Sequence, residues 1–390
     1  MAEAQKVRYG IIGIGNMGSG HLGYFKNGKL PEMELVAVAD INPERLEWAK
    51  AQLPQLKLFN TSDELIESGL VDAVVIATPH YFHPPIAIKA FEAGLHVLTE
   101  KPAGVYTKQV REMNEAAKKS GKAFGIVYNQ RTNCVYRAMR ELVKSGKYGE
   151  IRRVNWIITD WFRTQAYYNS GGWRATWVGE GGGVLLNQCP HNLDLLQWIC
   201  GMPSKINAVC REGKWHDIEV EDDVMIYAEY PNGASGVFIT TTGDCPGTNR
   251  LEITLDRAKI VSENGKVTLL ELSEGTDNFC RNATEGFARI ETEEKEVELD
   301  GKNPQHIGIL NAFAAHILRG EPLVANGEEG INGLTISNAA FLSSWLGREI
   351  TLPIDEDLYY SELQKKIAAS KGKKEVKASV QSDMNATFGS

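Results

Sequence analysis

A largely apolar run, Val7–Ile12, passes directly into Gly13-Ile14-Gly15-Asn16-Met17-Gly18. A strand followed at once by a G-x-G-x-x-G turn leaves few ways to continue, because the turn must lead into a helix that packs back on the strand. The next segments keep that rhythm. Leu35–Ala39 is a second strand ending at Asp40, and Asn42-Pro43-Glu44-Arg45 starts a helix with a capping residue and a first-turn proline. Ala73–Ala77 and His96–Thr99 read as further strands, with helices over Pro84–Ala93 and Lys108–Ser120, and Ala123–Tyr128 closes the set. Near-continuous apolar strands alternating with helices predict a doubly wound parallel sheet covered on both faces.

The texture then changes. Asn133–Ser145 reads as a helix and Ile151–Thr159 as a strand, and residues 160–180 are rich in Trp, Tyr, Arg and Gly. A helix is predicted from near residue 188 to Cys200. Short alternating segments such as Val224–Tyr230, Gly236–Thr241 and Leu251–Leu255 follow, and helices return at Gln305–Arg319 and Leu334–Leu346. The expected fold class is α/β: a Rossmann domain over 1–128 and an α/β domain with a large, open, mostly antiparallel sheet over 129–360. An open sheet has one face left to cover, which predicts a homo-oligomer, a dimer or tetramer. Residues 361–390 are predicted to be a polar tail, mobile or laid on a neighbouring subunit.

A chain of 390 residues with 43% apolar residues suffices for two cores. The net charge of −8, without a basic stripe, argues against nucleic acid as a partner. No apolar run approaches the roughly 20 residues needed to span a bilayer. The start lacks the cationic and long apolar segments of a secretory signal. Six cysteines are scattered without a Cys-x-x-Cys pair, which suits reduced thiols. A cytoplasmic location is therefore expected, with no membrane partner.

The glycine loop has a specific chemistry. Gly13 makes the turn, Gly15 lets backbone approach a pyrophosphate, and Gly18 lets helix meet strand, with Asn16 and Met17 between them at the positive end of the helix. Asp40 lies 22 residues beyond Gly18, where an acid accepts hydrogen bonds from the adenosine ribose. A solvated acid capping the next helix is the plainer alternative. The cofactor reading is NAD.

The strand ends carry a longer pattern. The stretch ATPHYFHPPIAIKAFEAGLHVLTEKP resembles the signature of the glucose–fructose oxidoreductase/inositol dehydrogenase (Gfo/Idh/MocA) family, and Glu100-Lys101-Pro102 is its most specific part. The resemblance implies a sugar, glycoside or inositol dehydrogenase. Lys101 would then stand beside the nicotinamide and the reacting hydroxyl, and Glu100, Thr78, Pro79, His80 and His83 would line the cofactor. It also implies that Asn129, Gln130 and Arg131 lie near the cofactor or substrate. A second family pattern, a glycine run followed by spaced Asp, His and Asp, matches Gly181–Gly183, His191 and Asp194, and implies that His191 and Asp194 contact the substrate. His191 would be the general base in oxidation. Asn187 departs from that pattern, since an amide cannot take a proton; it could bind a sugar hydroxyl or simply cap the helix. If the stretch is helical, positions 187, 191 and 194 share one face.

The aromatic stretch Trp161-Phe162-Arg163, Tyr167-Tyr168, Trp173-Arg174 and Trp177 suits stacking on sugar rings, with Arg163, Tyr167, Trp173 and Arg174 as substrate contacts. Interface packing competes with that reading. Cys189 and His191 are too few for a metal site, so no metal is expected. The preferred reaction is oxidation of a glycoside hydroxyl at C3. A glycosidase that recycles NAD through transient oxidation at C3, and a cofactor-binding regulator without turnover, are the alternatives. The role given to Asp40 carries its own test. A carboxylate facing a 2′-phosphate should favour NAD over NADP by about tenfold or more in catalytic efficiency, about 1.4 kcal/mol. Equal use of the two cofactors would reject that role.

Overall fold

The computed structural model describes residues 6–372. The first sheet is built from β1 (Val7–Ile12), β2 (Met33–Ala39), β3 (Lys57–Phe59), β4 (Ala73–Ile76), β5 (His96–Thr99) and β6 (Phe124–Ile126). Between them run α1 (Asn16–Lys26), α2 (Pro43–Gln52), α3 (Ser62–Glu67), α4 (His83–Glu92) and α5 (Thr107–Ser120). The strand order is β3-β2-β1-β4-β5-β6, with every pair parallel. The order reverses between β1 and β4, and ligands of such sheets bind in the crevice at the strands' carboxyl ends there. The glycine loop, Thr78, Glu100-Lys101 and Asn129 all follow the carboxyl ends of β1, β4, β5 and β6. The doubly wound sheet is as expected.

The rest of the chain contains α6 (Cys134–Lys144), β7 (Ile151–Ile158), α7 (Gln165–Asn169), α8 (Pro190–Cys200), β8 (Lys205–Glu212), β9 (Glu221–Glu229) and β10 (Ser235–Thr241). It continues with β11 (Asn249–Leu255), β12 (Ala258–Glu263), β13 (Lys266–Leu272), α9 (Thr276–Asn282), β14 (Thr292–Glu296), α10 (Gln305–Arg319), α11 (Gly330–Leu346), β15 (Ile350–Thr351) and α12 (Glu356–Ala369). Nine strands form one sheet in the order β14-β13-β12-β11-β7-β10-β9-β8-β15. Among the described strands of this sheet, only β7 and β10 pair in parallel. One face packs against α8 and α11, with Trp156, Phe238 and Phe341 fully buried. The other face exposes Met225, Tyr227, Val209 and Val237, and Met225 and Val209 are opposite each other across β9 and β8.

Two expectations about domain limits change. Helix α10, placed by sequence in the second domain, packs its Ile309, Leu310, Phe313 and Ala314 against Tyr9, Ile11 and Leu98 of the first sheet. Its apolar stripe covers one face of that sheet, and the Tyr9 and Phe313 rings meet edge-on at 6.3 Å. The tail expected from residue 361 begins instead as the second half of α12, whose Tyr359 and Leu363 are fully buried. Residues 373–390 of that predicted tail lie outside the described residues. Among the described residues, no helix is long and apolar enough to cross a membrane.

Candidate active site

The glycine loop takes the shape its sequence demands. Gly13 has φ +91, and a Cβ on Gly18 would fall 1.9 Å from the Gly13 carbonyl oxygen, so helix and turn touch there. Gly15 and Asn16 are exposed at the start of α1, Met17 is half-buried, and a Cβ on Gly15 would meet nothing within 4 Å. Asp40 fixes this loop from the end of β2. Its carboxylate accepts from the backbone N–H of Ile14 at 2.6 Å and of Asn42 at 2.8 Å. Arg45, which sequence reasoning passes over, donates to the Ile14 carbonyl at 2.6 Å and stacks on Trp48.

Beyond the loop, buried polar atoms without a hydrogen-bond partner stand at Thr78 Oγ1 and Asn129 Oδ1. Buried polar groups are normally satisfied, so such atoms mark places where a polar ligand docks. Pro79 precedes a short helical turn, His80–Phe82, and brings no polar side-chain group. The open loop, the acid at the end of β2 and these two orphaned oxygens fit a dinucleotide.

His80 and His83 are placed differently from expectation. His83 spends both ring nitrogens on backbone, 2.8 Å from the Pro102 oxygen and 2.7 Å from the Thr78 oxygen. It ties the ends of β4 and β5 together. His80 is buried, with Nδ1 3.2 Å from the Glu180 carbonyl oxygen and its ring edge-on to Trp173 at 5.4 Å. It links the two lobes.

Glu100 is buried and faces α1, where its carboxylate meets His21 Nε2 at 2.8 Å. Burial alone would raise its pKa, but the His21 bond and the nearby positive charges outweigh this and hold it at about 2. Lys101 follows, with a cis bond to Pro102. Its Nζ donates to the Asn187 carbonyl at 2.9 Å, across the boundary between the lobes. Burial pulls its pKa down; Glu100 and Glu180 push it back up, and Arg174 and Arg163 add to the fall.

The glycine run that leads to His191 is held from β9. Glu221 accepts from the N–H groups of Gly183 at 2.8 Å and Leu185 at 2.9 Å, and burial raises its pKa to about 8 despite those bonds. A Cβ on Gly183 would sit 2.0 Å from the Glu221 carbonyl oxygen. Helix α8 starts only at Pro190, so His191 and Asp194 share it while Asn187 lies in the preceding turn. Cys189, without a side-chain capping bond, occupies the cap, so Asn187 is not the cap. His191 is buried beside Tyr128, ring centroids 6.2 Å apart. Burial first, then the charge of Lys101 and the nearby His306, hold its pKa well below 6.5, leaving a neutral imidazole at neutral pH.

Several residues named as substrate contacts are engaged elsewhere. Arg131 and Asp194 form a bidentate ion pair at 2.6 and 2.8 Å, each side chain 1% exposed, and Arg131 also reaches Glu329 at 2.7 Å. Gln197 donates to the same carboxylate at 2.9 Å. Their charge is consumed internally, and they brace α8 from the end of β6. Asn187 likewise has both ends of its amide in use. Its Nδ2 donates to Glu180 Oε1 and its Oδ1 accepts from the Tyr167 hydroxyl at 3.2 Å.

The aromatic stretch divides. Tyr168 and Trp177 are core residues, with Tyr168 bonded to Thr242 at 2.7 Å and Trp177 packed on Phe341 and Trp345. Arg163, Tyr167, Trp173 and Arg174 are half-buried and stacked: the Arg163 guanidinium lies 5.3 Å from the Tyr167 ring centroid, and Arg174 lies 4.5 Å from Tyr167 and 4.8 Å from Trp173. Cys189 is buried with its sulfur 3.0 Å from Thr240 Oγ1. Burial pushes its thiol up to about 12, although the Thr240 bond opposes the rise. Among the described residues, no three metal-ligating side chains cluster.

Residues 7–128 match the oxidoreductase family with an NAD-binding Rossmann fold, and residues 136–261 match the GFO/IDH/MocA C-terminal domain. The chain belongs to the Gfo/Idh/MocA family. It is a Gfo/Idh/MocA oxidoreductase with NAD as its cofactor, and some relatives align nearly end to end with it. Myo-inositol 2-dehydrogenase of Thermotoga maritima is 24% identical over 86% of this chain and 95% of its own length. D-glucoside 3-dehydrogenase of Escherichia coli is 26% identical over 89% and 97%. The WlbA dehydrogenase of Bordetella pertussis, solved with NADH and UDP-GlcNAcA, superposes with a TM-score of 0.75 at 27% identity, covering 90% of this chain and 100% of that one.

Sequence reasoning misses His21 and Arg45 because the partner of each is distant in sequence, and Glu180 because a single acid before a glycine run carries no pattern, although Ala175 and Asn187 are close in sequence. The assignment of Arg131 and Asp194 to structure rather than substrate is testable. Asp194→Ala, which leaves a buried guanidinium with Glu329 as its remaining ion-pair partner, should lower stability in urea by about 3–5 kcal/mol while leaving NAD affinity within a few-fold. Unchanged stability with a raised substrate KM would return the pair to the pocket.

Proposed function

We propose that this oxidoreductase oxidises a secondary hydroxyl of a carbohydrate, a glycoside at C3, with Lys101 and His191 handling the oxygen and its proton. One observation carries the reading. Lys101, at the end of β5, donates to the carbonyl of Asn187, four residues before His191, and the neutral His191 imidazole lies near enough to feel the charge of that ammonium.

Bound NAD supplies the acceptor for the hydride leaving the carbinol carbon. Lys101 Nζ orients the hydroxyl oxygen and stabilises the negative charge that grows on it. His191 takes the hydroxyl proton on a ring nitrogen; its depressed pKa keeps that nitrogen available at neutral pH. Asp40 holds the adenosine ribose, and Thr78 and Asn129 offer their unpaired oxygens to the rest of the cofactor. Trp173 and the stacked Arg174 and Tyr167 form a wall on which a sugar ring can lie. Likeness to a D-glucoside 3-dehydrogenase over 89% of the chain supports the choice of a glycoside and of C3.

The test is mass balance. Incubated with NAD and a panel of glycosides and inositols, the protein should form NADH and a keto product one for one with at least one glycoside. Release of free aglycone without net NADH, or no turnover across the panel despite NAD binding, would overturn the reading.

A further inference from the structure

The Lys101 ammonium donates to a neutral carbonyl, and the side chain of the residue that owns that carbonyl is a neutral amide. A buried cation needs an anion nearby, because burial penalises the charged form. Glu100 is one, and of the two its charge favours the ammonium more; one carboxylate oxygen meets His21 and the other accepts the Lys101 backbone N–H at 3.3 Å. The other is Glu180, an acid with no part in the proton transfer.

Glu180 is 1% exposed. One carboxylate oxygen accepts the Ala175 N–H at 2.5 Å, and the other accepts the Asn187 amide. The surrounding bonds then admit one orientation of that amide. The Tyr167 oxygen receives Arg174 Nη1 at 2.7 Å and Gln188 Nε2 at 3.1 Å, so its own proton points to Asn187 Oδ1. Asn187 Nδ2 must therefore face Glu180. The chain of contacts runs from the Glu180 carboxylate through the Asn187 amide to the residue whose carbonyl holds Lys101. Arg174 lies 3.7 Å from Glu180, farther than it lies from the Tyr167 oxygen.

We propose that Glu180 is a positioning residue for Lys101: its carboxylate orients Asn187, fixes the carbonyl that receives the ammonium, and supplies the negative charge that a neutral Asn187 cannot. The proposal rests on reading Lys101 as the group that meets the substrate oxygen. Around Lys101 the anions are Glu100 and Glu180 and the cations Arg163 and Arg174. The imidazoles of His80, His83, His191 and His306 feel its charge too, and burial lowers the pKa of each. Because Glu180 favours the ammonium, removing its charge must lower the Lys101 pKa and narrow the alkaline range of activity.

The experiment moves the negative charge from position 180 to position 187. In E180Q one donor of the new amide faces another donor, either the Ala175 N–H or the Asn187 amide. In E180Q/N187D the new amide oxygen at 180 accepts from Ala175, and its nitrogen donates to the new carboxylate at 187. That carboxylate still accepts from Tyr167. Lys101 is titrated without substrate by the pH dependence of its acylation rate, read by mass spectrometry, in full-length protein that binds NAD. The expected result is a pKa lower by about one pH unit in E180Q, restored to within a few tenths in the double variant. The alkaline limb of kcat should move with it. An unmoved Lys101 pKa in folded E180Q, or a double variant no better than the single, would overturn the proposal. A shift in labelling without turnover on any carbohydrate would leave Glu180 in place and reject the dehydrogenase reading instead.

Discussion

The bond from Lys101 Nζ to the Asn187 carbonyl joins the parallel sheet to the turn that launches α8. Without it, the end of β5 and the start of α8 would be two surfaces facing a cleft. With it, the cation is held at one point, and the glycine run, anchored by Glu221, sets the distance to His191. The site depends on carbonyl and carboxylate acceptors that hold donors in place before any substrate arrives. Such preorganisation is what lets a charge in a dry cleft act on a developing alkoxide.

Several neighbours serve the same end. His83 links the Thr78 and Pro102 carbonyls, the Arg131–Asp194 pair braces α8 against the end of β6, and His80 joins Glu180 to Trp173. None of these needs to touch substrate. Each removes a way for Lys101 and His191 to drift, and in an active site a displacement of about 1 Å can cost on the order of a hundredfold in rate. Helix α10 belongs to this scaffold as well: by covering the first sheet it carries Gln305 to Asn129 at the edge of the cofactor cleft.

The first sheet was legible because each strand is a short apolar run bounded by a turn, and because Gly13, Gly18 and Asp40 answer to backbone requirements visible locally. β3 and α3, three and six residues long, are too short to carry a readable pattern. The destination of α10 could not be read, since a stripe of Ile309, Leu310 and Phe313 says that the helix packs but not on what. The same limit explains the site. Lys101 and His191 stand in patterned segments, whereas Arg131 and Asp194, 63 residues apart, look like two free charges until the fold neutralises them. Glu180 is one acid before a glycine run, and only burial against Asn187 distinguishes it from a solvated one.

On the proposed mechanism Lys101 and His191 act on one hydroxyl, and a double-mutant cycle followed by NAD reduction shows whether they do. Lys101→Met and His191→Ala should each slow turnover by about 10² or more, and the double variant should be about as slow as the slower single, because groups that act as a unit are not additive. Fully multiplicative losses would mean that the two side chains work at separate places.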